Sequence, residues 1–197
     1  SKKIIDLAKN KIPNKFKLSP VNGIQVLSPM NHGPAGSRKL SEQIQAELNP
    51  TGREVICGGR KFRIGDKVIQ NRNNYIKNVF NGDMGIVMDI VQEKQSILVA
   101  IDGRKIIYDY SELDELALAY AISIHKSQGM EYPAVVIPIL PEHGPMLQRN
   151  LLYTGITRAK KVVVLVGSLR AIKSAVSNSK TIHRHGSLME RIRLIIG

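Results

Sequence analysis

The sequence predicts an α/β domain built on a parallel sheet and interrupted by a small antiparallel β-barrel. Three observations carry this. "PAVVIPIL" (133–140) and "KVVVLVG" (161–167) are near-continuous β-branched runs, the composition of strands covered on both faces in a parallel sheet. Between about 58 and 111 the pattern changes to short, closely spaced strands, as in a small barrel. Within that stretch Asp102-Gly103 joins "LVAI" to "KIIYDY". That is a two-residue hairpin signal, because both turn positions favour φ > 0.

The elements follow in order. Residues 2–11 place Ile4, Ile5 and Ala8 at helical spacing with Leu7 alongside, and Pro13 and Asn14 are expected to stop that helix. "GIQVLSPM" (23–30), bounded by Gly23 and Pro29, reads as a buried strand. Ser37 is expected to cap a helix through "RKLSEQIQAELN", with Leu40, Ile44 and Leu48 on one face and Pro50 ending it. "KFRIGDKVIQ", "GIVMDIVQ" and "SILVAID" supply the barrel strands, with a turn at "NVFNGDMG". "MLQRNLLYTGITRAKK" reads as helical, with Leu147, Leu151 and Ile156 at roughly helical spacing. The tail from 168 suggests one or two helices, separated by a polar loop at "SNSKTIHRHGS". The predicted domains are an α/β domain at 1–57 and 112–197 and an inserted barrel at 58–111.

Composition narrows the function. The 197 residues carry 29 Lys+Arg against 16 Asp+Glu, a net charge of +13. Such an excess points to a polyanionic partner, and nucleic acid stands ahead of an anionic membrane. No stretch reaches the roughly 18 apolar residues of a membrane span, so no membrane partner is expected. The single cysteine, Cys57, has no internal disulfide partner and no metal-ligand neighbour in sequence. "SKKIIDLAKN" lacks the apolar core of a signal peptide, which makes the cytoplasm the default location. The missing initiator Met and the abrupt end at Ile195-Ile196-Gly197 suggest an excised piece.

Four stretches concentrate chemistry. In "AISIHKSQGMEY" His125, Lys126, Ser127, Gln128, Gly129 and Glu131 crowd in front of an apolar strand. A loop at the C-terminal end of a parallel strand is where α/β proteins hold ligands. Gly129 permits a tight turn or a close backbone approach. A carboxylate can accept ribose hydroxyls, and His and Ser can donate to phosphates. A solvated loop with a helix cap is the alternative. In "LLYTGITRAKK", Arg158 lies between Ile156 and Ala159, where a guanidinium turned inward reaches a phosphoryl oxygen bidentately. A surface arginine on a helix is the alternative. "SPMNHGPAGSRK" is a Gly-containing lead into a helix N-terminus, which can bind an anion. "QNRNNYIKN" is polar and basic, and a base can stack on Tyr75; an ordinary polar hairpin is the alternative. No G-x-x-x-x-G-K-[ST] and no G-x-S-x-G occurs, and the five histidines do not form metal spacing with Cys57.

These residues together resemble the C-terminal motor domain of superfamily 1 DNA helicases, in the RecD-like branch (exodeoxyribonuclease V alpha subunit and relatives). "AYAISIHKSQGMEY" is similar to helicase motif V, and "LLYTGITRAKKVVVLVG" to motif VI. "QVLSPMNHGPAG" is similar to the RecD-like motif IV, with His32 where the family often has a basic residue. "FRIGDKVIQNRNN" with "VFNGDMGIV" resembles the SH3-like insertion of that branch. The Thr-Gly-Ile-Thr-Arg form of motif VI favours RecD-like over Pif1-like helicases.

The resemblance implies a RecA-like fold and a set of roles. Arg158 is the catalytic arginine finger on the ATP γ-phosphate. Glu131 reads the ribose, with Gln128 and Gly129 near the phosphates. Ser123, His125 and Lys126 face single-stranded DNA, joined on the barrel by Arg72, Asn74 and Tyr75. ATP and Mg2+ are the implied cofactors, but the Walker A lysine and the magnesium ligands belong to a first motor domain outside this chain. The implied partners are single-stranded DNA, that N-terminal motor domain and other subunits of a nuclease complex. The implied activity is 5′ to 3′ DNA unwinding, with the isolated 197 residues inactive. Two further readings stay open: a stand-alone nucleic-acid-binding module and a protein-interaction domain.

Overall fold

A computed structural model describes residues 1–179. The chain opens with α1 (Lys2–Asp6), a π-helical turn at Leu7–Lys11 and α2 (Ile12–Phe16). Ile4, Ala8 and Ile12 lie buried along one face. The helical path thus continues past Pro13, which sits at the start of α2. The wide π turn, with Ile12 N–H bonded to Leu7 O, accommodates a residue that lacks an N–H and crowds the preceding turn. Lys17, in the left-handed conformation at φ 54°, ends the path instead.

The remaining elements are β1 (Ile24–Ser28), α3 (Ser37–Leu48), β2 (Glu54–Cys57), β3 (Arg60–Arg63), β4 (Lys67–Gln70), β5 (Met84–Val91), β6 (Ser96–Ile101), β7 (Arg104–Asp109), β8 (Leu116–Leu118), β9 (Ala121–Ser123), β10 (Tyr132–Ile139), α4 (Arg149–Ile156), β11 (Ala159–Gly167) and α5 (Leu169–Ser177). The polar loop predicted at "SNSKTIHRHGS" and any second tail helix fall largely outside the described residues. The N-cap of α3 is Gly36; Ser37 caps nothing and its Oγ bonds Asn31 Oδ1 at 3.0 Å.

A four-stranded parallel sheet in the order β11-β10-β1-β9 forms one half of the molecule. β1 is wholly buried, and β10 nearly so. Among the described residues β11 is an edge strand with Val163 37% exposed, so its β-branched run is covered less fully than predicted. α4 is shorter than its sequence pattern. It ends at Ile156, which is exposed, while Leu152 and Gly155 take the buried positions and "AKK" already belongs to β11. A side chain at Gly155 would strike Ile137 Cδ1 at 2.9 Å, so the helix rests directly on β10 there.

The other half is antiparallel. A β2–β3 hairpin flanks a five-stranded sheet in the order β7-β6-β5-β4-β8, around a core of Phe62, Val68, Val87, Ile97, Val99 and Tyr108. Asp102 and Gly103 have φ of 47° and 75°, as the hairpin signal requires. The antiparallel part is wider than 58–111. β2 lies before it, and β8 after it pairs Val68 with Leu118. Three residues are too few for a period to show in sequence, but Leu116 is fully buried in the antiparallel core.

The two halves meet on buried polar groups. Asp66 is fully buried, and its carboxylate accepts from Gln45 Nε2 and Asn49 Nδ2 of the α3 region, Tyr120 OH and Arg63 N, at 2.5–2.9 Å. Burial pushes this carboxyl up, and the four donors pull it back. Next to it, Lys67 Nζ donates to Gln25 Oε1 of β1 at 2.9 Å and to Val21 O at 3.1 Å, and lies 5.5 Å from the Tyr132 ring centre.

Replacing Asp66 strands four donors, two of them on the buried Gln45 and Tyr120 side chains, so Asp66→Ala is expected to cost about 3 kcal/mol in chemical denaturation. Burial lowers the Lys67 ammonium to about 8. Between that value and its ordinary 10.5 the unfolded chain holds a proton that the folded chain has released, so this group's contribution to stability rises with pH across that window. Denaturation at pH 7.5 and pH 10 is expected to move the wild type relative to Lys67→Met in favour of the wild type, by about 2 kcal/mol. A difference that does not vary with pH contradicts it.

Candidate nucleotide rim and single-strand groove

β10 and β11 start side by side, with Tyr132 paired to Ala159. Glu131 and Arg158 immediately precede those strands and therefore share one rim of the sheet. Tyr132 N–H donates to Arg158 O at 2.8 Å. The half-buried Arg158 guanidinium donates to Thr154 O, Met130 O and Thr157 Oγ1 at 3.2–3.3 Å. All three acceptors are neutral, and among the described residues no carboxylate forms an ion pair with Arg158. Its full charge is left for an external anion. Glu131 is exposed and pairs with Lys160 at 3.0 Å, a contact that solvent screens heavily. Gln128 is exposed. Gly129 sits at φ 82° with open space where a side chain would point, so the backbone there is approachable.

The other predicted residues lie elsewhere. β9 ends at Ser123, level with Ser28, whereas Ala134 is level with Ile24. The start of β10 is thus about six residues, or roughly 20 Å, back along the strand direction from the end of β9. The stretch 124–131 is the crossover between two parallel strands, and it travels that length. The residues expected to meet a nucleotide and those expected to meet a single strand therefore occupy opposite ends of one segment, rather than one loop at a strand's C-terminal end. Only Ser123, His125 and Lys126 are near such an end. Ser123 is buried, and its Oγ accepts from Lys126 N at 3.4 Å. Ser127 is fully buried and donates to Ile124 O, a structural role. His125 is exposed.

Lys126 reaches across to the antiparallel half and donates to Asn71 Oδ1, and burial lowers its pKa. It lines a groove of about 600 Å³ between the halves, together with Asn31, His32, Arg38, Ser41, Arg60, Lys61, Arg63 and Ser123. Arg60 donates to the carbonyls of Asp114 and Leu116, and among the described residues no carboxylate forms an ion pair with it. Sequence reasoning missed Ser41, Arg60, Lys61 and Arg63. The usable signal was the anion-binding lead "SPMNHGPAGSRK", whose Asn31, His32, Ser37 and Arg38 form the groove's edge. Gly36 is required there, since a Cβ would lie 2.4 Å from His32 O.

The barrel residues do not join this set as predicted. Arg72 is ion-paired with Asp114 at 3.0 Å, and Asn74 donates to Glu115 at 3.2 Å. Both face acids, which lowers the local attraction for a phosphate, although each keeps further N–H donors. Tyr75 is 77% exposed. Among the described residues no group of three His, Cys, Asp or Glu side chains forms a metal site, and no helix is long and apolar enough to cross a membrane. His183 and His185 lie outside those residues.

Two protein families match successive stretches of the chain. Residues 118–166 match the UvrD-like helicase C-terminal domain, and residues 40–101 match the SH3 domain of ATP-dependent RecD-like DNA helicases. The ATP-dependent RecD2 DNA helicase of Deinococcus radiodurans is 36% identical over 177 residues, 90% of this chain and 24% of that protein. The RecBCD enzyme subunit RecD of Mycolicibacterium smegmatis is 27% identical over 89% of this chain and 30% of its own length. The fold is shared with the Pif1 helicase from Bacteroides solved with ADP-AlF3 and single-stranded DNA, at a TM-score of 0.58, 18% identity, 98% of this chain and 49% of that one. Pif1 from Candida albicans matches at 0.53, 16% identity, 99% of this chain and 58% of that one. The fold thus resembles a RecA-like helicase C-terminal domain with an SH3-like antiparallel part. In both parts the chain is related to the RecD-like DNA helicases, and it spans between 24% and 30% of the length of these two relatives.

Proposed function

We propose that the chain is the second motor half of an ATP-driven, RecD-like DNA helicase, working against a first motor half of the same polypeptide. The observation that carries this is Arg158, a half-buried guanidinium held by neutral acceptors at a rim shared with Glu131. A charge kept unneutralised at a fixed place suits a polyanion delivered from outside. The residues fit one wall of an ATP site: Arg158 toward the γ-phosphate, Glu131 toward the ribose, and the open backbone at Gln128 and Gly129 between them. ATP with Mg2+ supplies the phosphoryl group and the counter-charge that make hydrolysis possible; the magnesium ligands lie outside this chain.

The groove between the halves is the proposed single-strand track, with Lys126 and Arg60 supplying charge and Ser123 lining its wall. His125 sits beside it, exposed. Coupling follows from the crossover. Arg158 bonds Met130 O near one end of the segment 124–131, and Lys126 contacts Asn71 near the other. When Arg158 turns toward a phosphate it releases Met130 O. The segment is then free to shift, and the shift reaches the groove at Lys126. A first motor half, a nuclease-complex setting and action in the cytoplasm belong to this proposal as well.

In the full-length protein Arg158→Ala is expected to lower ATP turnover by roughly 10³-fold or more while leaving single-strand affinity nearly unchanged. Retained turnover removes the finger assignment. For the groove, oligo(dT) binding to the 197-residue chain is expected to weaken steeply with salt. Lys126→Ala and Arg60→Ala should each flatten the log–log slope by about 0.7. Slopes equal to that of the wild type would place the strand elsewhere.

A further inference from the structure

The loop between β4 and β5, residues 71–83, is unlike the rest of this basic chain. Its tip presents three large apolar side chains to solvent: Tyr75 at 77%, Ile76 at 98% and Phe80 at 41% exposure. The Tyr75 and Phe80 rings meet edge to face, 6.0 Å between centres. The tip is rigidly held. Asn74 and Val79 exchange both backbone hydrogen bonds at 2.8 and 3.0 Å, and Val79 is fully buried in the barrel core. Asn74 Oδ1 accepts from Lys77 N, Asn73 Oδ1 from Asn81 N, and Asp83 Oδ2 from Phe80 N. An apolar surface ordered in advance binds at low entropic cost.

The charge around it argues against a nucleic acid there. The loop and the adjoining turn 109–115 hold five carboxylates (Asp83, Asp109, Glu112, Asp114 and Glu115) against two cations, Arg72 and Lys77. Both cations are ion-paired within the set, to Asp114 and Glu112. These segments carry a charge of −3 in a chain of +13, or −1 once Lys126 and Arg60, which touch them through Asn71 Oδ1 and Asp114 O, are counted; the corner thus stays acidic, which disfavours phosphates and complements a basic surface. The patch is also small. Three such side chains cover on the order of 500 Å², below the roughly 800 Å² that each partner contributes to a standard interface between separate proteins. A surface of that size works when its partner is tethered, because tethering supplies a millimolar effective concentration.

We propose that Tyr75, Ile76 and Phe80 form a docking knob for an apolar pocket rimmed by Lys or Arg, on the part of its own polypeptide outside these 197 residues. This rests on the reading of the chain as one half of a longer motor. The root of the loop gives the contact a consequence. Asn71 holds Lys126, a Cβ on Gly82 would lie 3.5 Å from Met130 Cε, and Met84 Sδ is 3.8 Å from Tyr132 OH. Docking at the tip therefore sets the position of the segment that joins the rim to the groove.

The test places a photo-cross-linker at the tip of the full-length protein, as Ile76→p-benzoylphenylalanine, irradiated with oligo(dT) bound and mapped by mass spectrometry. The expected product is an intramolecular cross-link to a peptide in which Lys or Arg flanks apolar residues. A cross-link to the oligonucleotide, or none to protein, overturns the proposal. Independently, in the 197-residue chain, where the docking partner is absent, the double variant Tyr75→Ser with Ile76→Ser should keep oligo(dT) affinity within about twofold, as surface changes away from a ligand do. A loss as large as that of Lys126→Ala would put DNA on the tip and also overturn it. Normal turnover in Arg158→Ala together with the expected peptide cross-link would sink the motor reading and leave the knob standing.

Discussion

The arrangement of this molecule depends on a pair of adjacent buried charges. Asp66 and Lys67 sit where β4 leaves its hairpin, and each faces the α/β half: Asp66 toward α3 and Tyr120, Lys67 toward β1 and the Tyr132 ring. A buried charge is tolerated only when its hydrogen-bonding capacity is met. Asp66 has four donors in a fixed directional set, and Lys67 has two oxygen acceptors and a ring face. Apolar contact alone would let the barrel slide over the sheet. Directional bonds from both partners hold one orientation, and that orientation creates the groove, whose walls come from α3, the β2–β3 hairpin and β9.

A second constraint is topological. β9 and β10 run parallel with β1 between them, so the chain must return along the sheet to start β10. A short crossover with side-chain chemistry at both ends connects the rim and the groove without further machinery. At one end it bonds Arg158 through Met130 O; at the other it bonds the barrel through Lys126. The barrel touches the same segment from the side, through Gly82 and Met84. Rim, groove and barrel therefore converge on a few residues of irregular backbone. Such backbone moves more readily than the strands it joins.

The charge of the chain is divided along the same lines. The groove carries Arg38, Arg60, Lys61, Arg63 and Lys126, while the 71–83 corner of the barrel gathers carboxylates. A single net charge conceals this. A basic total predicts a polyanionic partner somewhere on the surface, but not where, and here the most exposed aromatic side chain lies on the acidic side.

Much of this was legible in the sequence because it is local. β-branched runs gave β10 and β11, Asp102-Gly103 gave the β6–β7 turn, and motif spacing brought Glu131 and Arg158 forward as partners, since each directly precedes a recognisable strand. What the sequence could not determine was set by contacts between distant residues. Leu116–Leu118 is too short to show a period, and pairing with β4 made it a strand. Pro13 looked like a stop because the π turn that accommodates it has no sequence signature. The acids beside Arg72 and Asn74, Asp114 and Glu115, had no signal near them in sequence, because they are some forty residues away in the chain and adjacent only in the fold. The sequence by itself determined which strands exist and which residue types are available for chemistry. The tertiary structure alone decided which of those residues are free, because a charged side chain is neutralised by whatever the fold brings within a few ångströms of it.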